Sequence, residues 1–219
     1  MGWFSNTFEF LCKGGPVMVP LMACSIASIA IMIERIVTLR QASIDSDGLM
    51  RRLDDFLKQG NVKQALRQCE STAGYVGNVL AAALRARSFD PSTMERAMQE
   101  EAAKQTPELH RRLSVLDTII TIAPLLGLLG TVTGMIKSFH VISTKHGMSA
   151  PTAITGGVAE ALIATATGLA IAIGTLIGYN YLNERVSQLV SDAESRANHL
   201  INLIGDVEEH GNEITVLSA

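Results

Sequence analysis

The sequence predicts an all-α integral membrane protein with three transmembrane helices. Spans two and three are expected to extend as long helices into a helical cytoplasmic domain. Three charge-free apolar runs support this: Pro16–Ile33, Thr118–Ile136 and Ala161–Asn183. At about 1.5 Å per residue, each can cross a hydrocarbon core of about 30 Å. A long charge-rich stretch separates the first two runs, so the pattern excludes a soluble enzyme.

Composition narrows the function classes further. The chain has 219 residues, of which 47% are hydrophobic and 18% charged, with a formal net charge of −3. This balance gives no electrostatic reason to expect a nucleic-acid partner. Cys12, Cys24 and Cys69 fall before, inside and after the first span, without disulfide or metal-ligand spacing. We interpret them as small hydrophobic residues, and we expect neither a metal nor a cofactor.

Basic residues predict the orientation, because Lys and Arg favour the cytoplasmic side of a span. Nine basic residues near the span ends lie on one side, against three on the other. The nine are Arg35, Arg40, Arg51, Arg52, Lys104, Arg111, Arg112, Arg185 and Arg196, and the three are Lys13, Lys137 and Lys145. The long loop and the C-terminus are therefore expected in the cytoplasm and the N-terminus in the periplasm.

Seven segments follow in order along the chain. They are an outer-face interfacial helix (1–15), span one (16–36), a cytoplasmic helical region (37–116), span two (117–139), a periplasmic loop (140–153), span three (154–183) and a cytoplasmic helical tail (184–219). Aromatic residues such as Trp3 and Phe4 favour the interfacial assignment, because aromatic side chains concentrate at the headgroup layer.

The loop after span one has helical periodicity. Apolar residues at Leu49, Leu53 and Leu57 precede a Gly60-Asn61 turn signal, and a second periodic stretch follows, which predicts a helical hairpin. Ser92 with Glu95 fits a capping box. From there to Ile136 only Thr106-Pro107 interrupts the pattern, so span two is expected to continue a much longer helix.

Span two carries a face of small and hydroxyl residues. Pro124, Gly127, Thr131 and Gly134 share one side of a helix, and Gly130 with Gly134 forms a G-x-x-x-G step that permits close backbone approach. One interpretation is a packing face, in which each threonine bonds a carbonyl of its own helix. The other is a path for an ion.

Span three carries a matching face. Ala161, Thr165, Gly168, Ala172, Thr175 and Tyr179 follow helical spacing, and Gly174 with Gly178 adds another close-approach step. Three spans are too few to enclose a pore, so oligomerisation would arrange these faces around a common axis. They would then line either another helix or an ion path.

Charged residues at the span ends have two interpretations each. Glu160 at the start of span three suggests function, because a carboxylate in a membrane segment is costly. Alternatively, it is a partly hydrated glutamate at the start of the helix, where the helix dipole stabilises a negative charge. On an ideal helix it lies about 140° from Thr165 and aligns with Thr167 instead. Glu34 and Arg35 form either an interfacial anchor or an ion pair between subunits.

The spans otherwise contain no Asp, Glu, His or Lys. A proton relay needs titratable groups near the membrane midplane. If protons cross here, another chain should therefore supply the central carboxylate.

Two motifs resemble the signature stretches of the MotA/TolQ/ExbB proton-channel family, in its ExbB/TolQ branch. They are APLLGLLGTVTGM (Ala123–Met135) and GGVAEALIATATGL (Gly156–Leu169). The resemblance covers essentially the whole chain. It implies a homopentamer in the bacterial inner membrane around a dimer of single-span ExbD- or TolR-like partners that contribute an aspartate. Proton flow would then drive work on the cell envelope, delivered through a TonB- or TolA-like protein.

The resemblance also implies residue roles. Thr131 and Thr165 match the family's pore threonines and Glu160 its span-three glutamate, and Thr133 and Thr167 are additional hydroxyls of unassigned role. Glu160 would face either the pore or a subunit contact. The predicted function is a proton-channel and motor subunit. The alternatives are a passive membrane scaffold, whose faces only pack helices, and a self-contained ion channel.

Overall fold

The computed structural model describes residues 14–42, 46–72, 74–87, 90–144 and 150–217. The predicted interfacial helix lies outside this part of the chain except for its last two residues, as does the middle of the predicted periplasmic loop. Within the described ranges there are seven helices and no strand. They are α1 (Met18–Ala42), α2 (Ser46–Lys58), α3 (Val62–Ser71), α4 (Tyr75–Ala86), α5 (Pro91–His110), α6 (Leu113–Thr144) and α7 (Ala150–Leu217).

Three helical stretches of the described chain are long and apolar enough to cross a membrane. They are Met18–Arg40, Pro91–His140 and Thr155–Gly205. The predicted fold class, an all-α membrane protein with long second and third membrane helices, is confirmed. α7 alone has 68 residues, far more than the approximately 20 that a bilayer requires.

The second long stretch contains one interruption that the sequence did not predict. α5 continues through Pro107 and ends at His110, and α6 begins at Leu113. Between them Arg112 has φ = 67°, in the left-handed region that an α-helix cannot continue through. The interruption of the long second stretch therefore lies at Arg112 and not at Thr106-Pro107, where the sequence pattern placed it.

The start of α5 also differs from the expected capping box. The N-cap residue is Asp90, with Pro91 in the first turn. The hydroxyls of Ser92 and Thr93 donate hydrogen bonds to the Asp90 carboxylate, and the Thr93 bond is 2.6 Å long. These two bonds hold the pKa of Asp90 below its usual value, and the bond from Ser92 has the larger effect. Ser92 therefore supports the cap residue rather than forming the cap itself.

The chain divides into two compact units. The membrane unit comprises residues up to Glu34 and Arg112–Leu182, and the helical unit comprises Arg35–Arg111 and the chain from Asn183 onwards. The core of the helical unit is formed by buried apolar residues of α2, α3, α4, α5 and the later part of α7. Fully buried members include Leu53, Ala65, Cys69, Leu80, Ala83 and Leu200.

The hairpin between α2 and α3 turns at the predicted position. Gly60 has φ = 69°, which glycine adopts without steric cost. The side chain of Asn61 accepts a hydrogen bond from the backbone N–H of Gln64 at 3.3 Å and so caps α3. The Gly-Asn pair therefore provides both the reversal and the helix start.

Burial in this core predicts a low reactivity for Cys69. Its side chain is fully buried, and desolvation, with the nearby charge of Glu70, raises the pKa of its thiol to about 12. Because the thiolate is the nucleophile, we expect Cys69 to resist alkylation by iodoacetamide at pH 8 in the folded protein. Unfolding in denaturant should accelerate its modification by about a hundredfold or more, as measured by peptide mass spectrometry. Equal rates in both states would contradict this core.

Candidate functional site

The membrane unit is built around direct backbone contact between α6 and α7. A Cβ added to Gly127 would lie 3.0 Å from Cα of Thr165, and one added to Gly134 would lie 2.7 Å from the carbonyl oxygen of Gly157. On α7, a Cβ added to Gly168 would lie 2.5 Å from the carbonyl oxygen of Ala123. The small residues of the two predicted faces therefore pack against each other within a single copy of the chain.

One hydroxyl joins the two helices directly. Thr165 Oγ1 on α7 donates a hydrogen bond to the carbonyl oxygen of Gly127 on α6 at 3.0 Å. This bond is possible because Gly127 has no side chain to separate the backbones. Thr165, which sequence reasoning connected with an ion path, thus also ties the helix pair together.

The other hydroxyls of the predicted site bond to their own helices. Thr131 donates to the carbonyl of Leu128 at 2.6 Å, and Thr133 to the carbonyls of Leu129 and Gly130 at 3.0 and 3.1 Å. Thr131, Thr133 and Thr165 are all half-buried. Each of these three side chains is therefore partly covered by its own copy and partly accessible to a neighbouring molecule.

Thr167 lies in a different place. It donates to the carbonyl of Ile163 at 2.8 Å and lines a groove of about 550 Å³ between α1 and α7. Ser28, which is 3% exposed, and Thr175, which is 1% exposed, line the same groove. Thr167 is thus separated from the contact where Thr165 lies, and Thr175 and Ser28 are buried hydroxyls that the predicted site omitted.

The predicted packing residues divide in the same way. Gly127, Gly130, Gly134 and Gly168 lie at the α6–α7 contact, with the half-buried Pro124 nearby on α6. Gly178 lies against the side chain of Met32. A Cβ on Gly174 would meet nothing within 4 Å, so its predicted packing role has no partner among the described residues of one copy.

Glu160 is held by a residue that sequence reasoning used only for orientation. Lys137 Nζ on α6 lies 2.6 Å from Glu160 Oε1 on α7. The Glu160 side chain is 19% exposed and that of Lys137 51%. No local pattern could predict a pair separated by 23 positions. The apolar faces bring it together, because they place residues 137 and 160 at the same end of the helix pair.

Glu34 and Arg35 have different partners in the structure. Glu34 forms an ion pair with Arg112, the residue at the α5–α6 interruption. Arg35 is 6% exposed, and its guanidinium donates to the carbonyl oxygen of Glu108 at 3.5 Å. Within one copy, Glu34 therefore stabilises the start of α6, while Arg35 binds the last turn of α5.

Comparison with known proteins assigns the region that contains the α6–α7 pair to a family. A model of the MotA/TolQ/ExbB proton channel family matches residues 71–195, which include α6 and most of α7. The chain belongs to this family. It is 35% identical over 187 residues to the putative biopolymer transport protein ExbB-like 1 of Synechocystis sp., covering 82% of this chain and 71% of the relative.

More distant relatives extend the comparison. An alignment to the putative biopolymer transport protein ExbB homolog of Methanothermobacter thermautotrophicus is 29% identical over 195 residues, with 89% of this chain and 69% of that one covered. The Tol-Pal system protein TolQ of Pseudomonas aeruginosa is 38% identical over 95 residues, which are 43% of this chain and 41% of TolQ.

Family membership and the three apolar helices together define the general role. The chain is a multi-pass membrane protein with a proton-channel role in energy transduction. In the part of the chain that the structure describes, no group of three His, Cys, Asp or Glu residues could hold a metal ion.

The α6–α7 contact predicts different tolerance at two glycines of the same helix. Gly168→Ala places a methyl group against the Ala123 carbonyl, whereas Gly174→Ala meets open space. We expect Gly168→Ala to destabilise the protein by about 2 kcal/mol, as overpacking typically does, and Gly174→Ala to leave it unchanged. Thermal unfolding of the purified protein in detergent measures both. Equal stability of the two variants would contradict the backbone contact.

Proposed function

We propose that this chain is the channel-forming subunit of a proton-driven motor in the bacterial inner membrane. Five copies would surround a dimer of single-span partners of the ExbD or TolR kind, with the N-terminus periplasmic and the C-terminus cytoplasmic. Proton flow between the copies and the partner would drive relative movement. The partner would pass the work on to the envelope, directly or through a TonB- or TolA-like protein.

The observation that carries the proposal is a helix pair with hydroxyls but without a central acid. Thr131 and Thr165 lie half-buried beside the α6–α7 contact, whereas the span-two and span-three runs contain no carboxylate or histidine near their centres. Hydroxyls can hydrate or hydrogen-bond a proton carrier, but they neither take up nor release a proton at neutral pH. A partner that brings a carboxylate supplies the missing group.

Surface chemistry supports an assembly rather than an isolated copy. Large apolar side chains of α6 and α7 are exposed in the single chain. They include Leu125, Leu128, Val132, Ile136, Leu162, Leu169, Ile173 and Ile177. Such surfaces suit lipid and neighbouring helices, where close packing rather than the hydrophobic effect drives association. Copies placed side by side would bring the half-buried threonines to a common axis.

The names of the relatives leave two kinds of work open. Some are called biopolymer transport proteins and others components of the Tol-Pal system. We propose that this chain works in one of these two ways, either energising import or maintaining the envelope. Both uses require the same proton-driven step.

One contact favours a second candidate function, a passive scaffold. The hydroxyl of Thr165 is engaged in helix packing through Gly127, which a protein without ion flow would also need. A scaffold depends on this hydroxyl only for stability. A channel depends on it for proton flow as well, so the two functions make different predictions for the same substitutions.

Hydroxyl removal tests the channel. Thr131→Val and Thr165→Val should each lower voltage-driven proton uptake by about tenfold or more, because each removes a hydrogen-bonding group worth about 1.4 kcal/mol from the path. The measurement uses vesicles reconstituted with the complex purified from its native cells, with a pH-sensitive dye inside.

Two matched variants control this measurement. Thr165→Ser keeps the hydroxyl and should retain uptake. Thr121→Val removes an exposed hydroxyl of α6 that also bonds its own helix, at the carbonyl of Asp117, and should retain uptake as well. Full uptake by assembled Thr131→Val and Thr165→Val complexes would contradict the channel and favour the scaffold.

A further inference from the structure

Three segments of the membrane unit meet at the carboxylate of Glu160. The carboxylate belongs to α7, and Lys137 of α6 approaches it to 2.6 Å. The third segment is the backbone that precedes α1, because a Cβ added to Gly15 would overlap the Glu160 carboxylate. We call this end of the helix pair, next to the connection between α6 and α7, the loop end.

Gly15 suits this position because it has no side chain. It has φ = 74°, a conformation that favours glycine, and it lets the carboxylate lie directly against the backbone. The carboxylate is therefore confined from two sides beyond its own helix. A glutamate that served only the helix dipole would need neither neighbour.

In the described part of the chain, few charged residues lie near Glu160. From Ala150 to Leu182, α7 carries no other charged residue, and the described residues before α1 carry none. On α6 the titratable groups near the loop end are Lys137 and His140, with none between Thr118 and Ile136. Among the described residues of one copy, Lys137 is therefore the counter-charge that contacts Glu160.

We infer that Lys137 is a positioning residue that holds the Glu160 carboxylate against the backbone of Gly15 at the loop end. This inference rests on the proposed function. A proton that binds Glu160 neutralises the carboxylate and removes its attraction for the ammonium, so the side chain is released from Lys137 and Gly15. Without the lysine, each copy would present an uncompensated negative charge at the loop end.

The ion pair gives the site a defined resting state. Charge-assisted hydrogen bonds are shorter and stronger than neutral ones, and partial burial limits their screening by salt. In this resting state the Glu160 side chain is held between Lys137 and Gly15.

Carbodiimide labelling tests the clamp without depending on proton flow. Dicyclohexylcarbodiimide reacts with protonated carboxyl groups in apolar surroundings. In the complex purified from native cells, Lys137→Met should raise the labelling rate of Glu160 by about tenfold, because the carboxyl group is then no longer held by the ammonium against Gly15. Lys137→Arg should label like the wild type. Peptide mass spectrometry measures the rate at Glu160 itself, and equal rates in Lys137→Met and wild type would overturn the inference.

Proton uptake tests whether Lys137 acts through Glu160. Lys137→Met should change voltage-driven uptake in the wild-type background but cause no further change when Glu160→Gln is already present. Additive effects of the two substitutions would indicate a separate structural role and overturn the inference. The exchanged pair, Lys137→Glu with Glu160→Lys, should assemble better than either single reversal, and failure of this rescue would also count against the clamp.

The two readouts separate this inference from the proposed function. If labelling responds as expected but wild-type vesicles take up no protons, the channel proposal fails while the ion-pair clamp stands. If wild-type vesicles take up protons and labelling does not respond to Lys137→Met, the clamp fails while the channel stands.

Discussion

Backbone contact between α6 and α7 is the constraint on which the membrane unit depends. In a bilayer the hydrophobic effect does not drive helices together, so close packing and hydrogen bonds must do so. Glycines at 127, 134 and 168 remove the side chains that would keep the backbones apart. The same absence of side chains allows Thr165 to reach the Gly127 carbonyl. Packing and the placement of the hydroxyl are therefore one structural feature.

Polar groups are distributed along the membrane unit in a definite order. Ion pairs lie near the ends, where Glu34 meets Arg112 and Lys137 meets Glu160, and hydroxyls lie between them. Charges near a span end cost less than charges at its centre. The arrangement ties α1 to α6 and α6 to α7 without placing an acid in the middle. In the proposed assembly, a partner chain would supply the central carboxylate.

The two small-residue faces could be predicted from the sequence because their residues recur at helical spacing. The spacing of Gly127, Thr131 and Gly134 defined one face, and that of Thr165 and Gly168 defined its counterpart. Periodicity identifies a face but not what the face contacts, so the hydrogen bond from Thr165 to α6 could not be predicted. The partner of Glu160 could not be predicted either, because only the packed helix pair brings Lys137 beside it.

Local backbone geometry was the other feature that the sequence did not reveal. Pro107 was the expected interruption before span two, yet α5 continues through it and breaks at Arg112. A positive φ at an arginine has no compositional signal. The ion pair of Arg112 with Glu34, a long-range contact, accompanies the break. Thr167 showed a similar limit, since only the fold places it at the groove beside α1 rather than with Thr165.

The central claim is that this helix pair conducts protons only with a carboxylate supplied by a second protein. Proton uptake into vesicles can be measured with the chain alone and with the chain together with its native single-span companion, at the same membrane voltage. The account predicts uptake with the companion and background leakage without it. Equal uptake by the chain alone would contradict it.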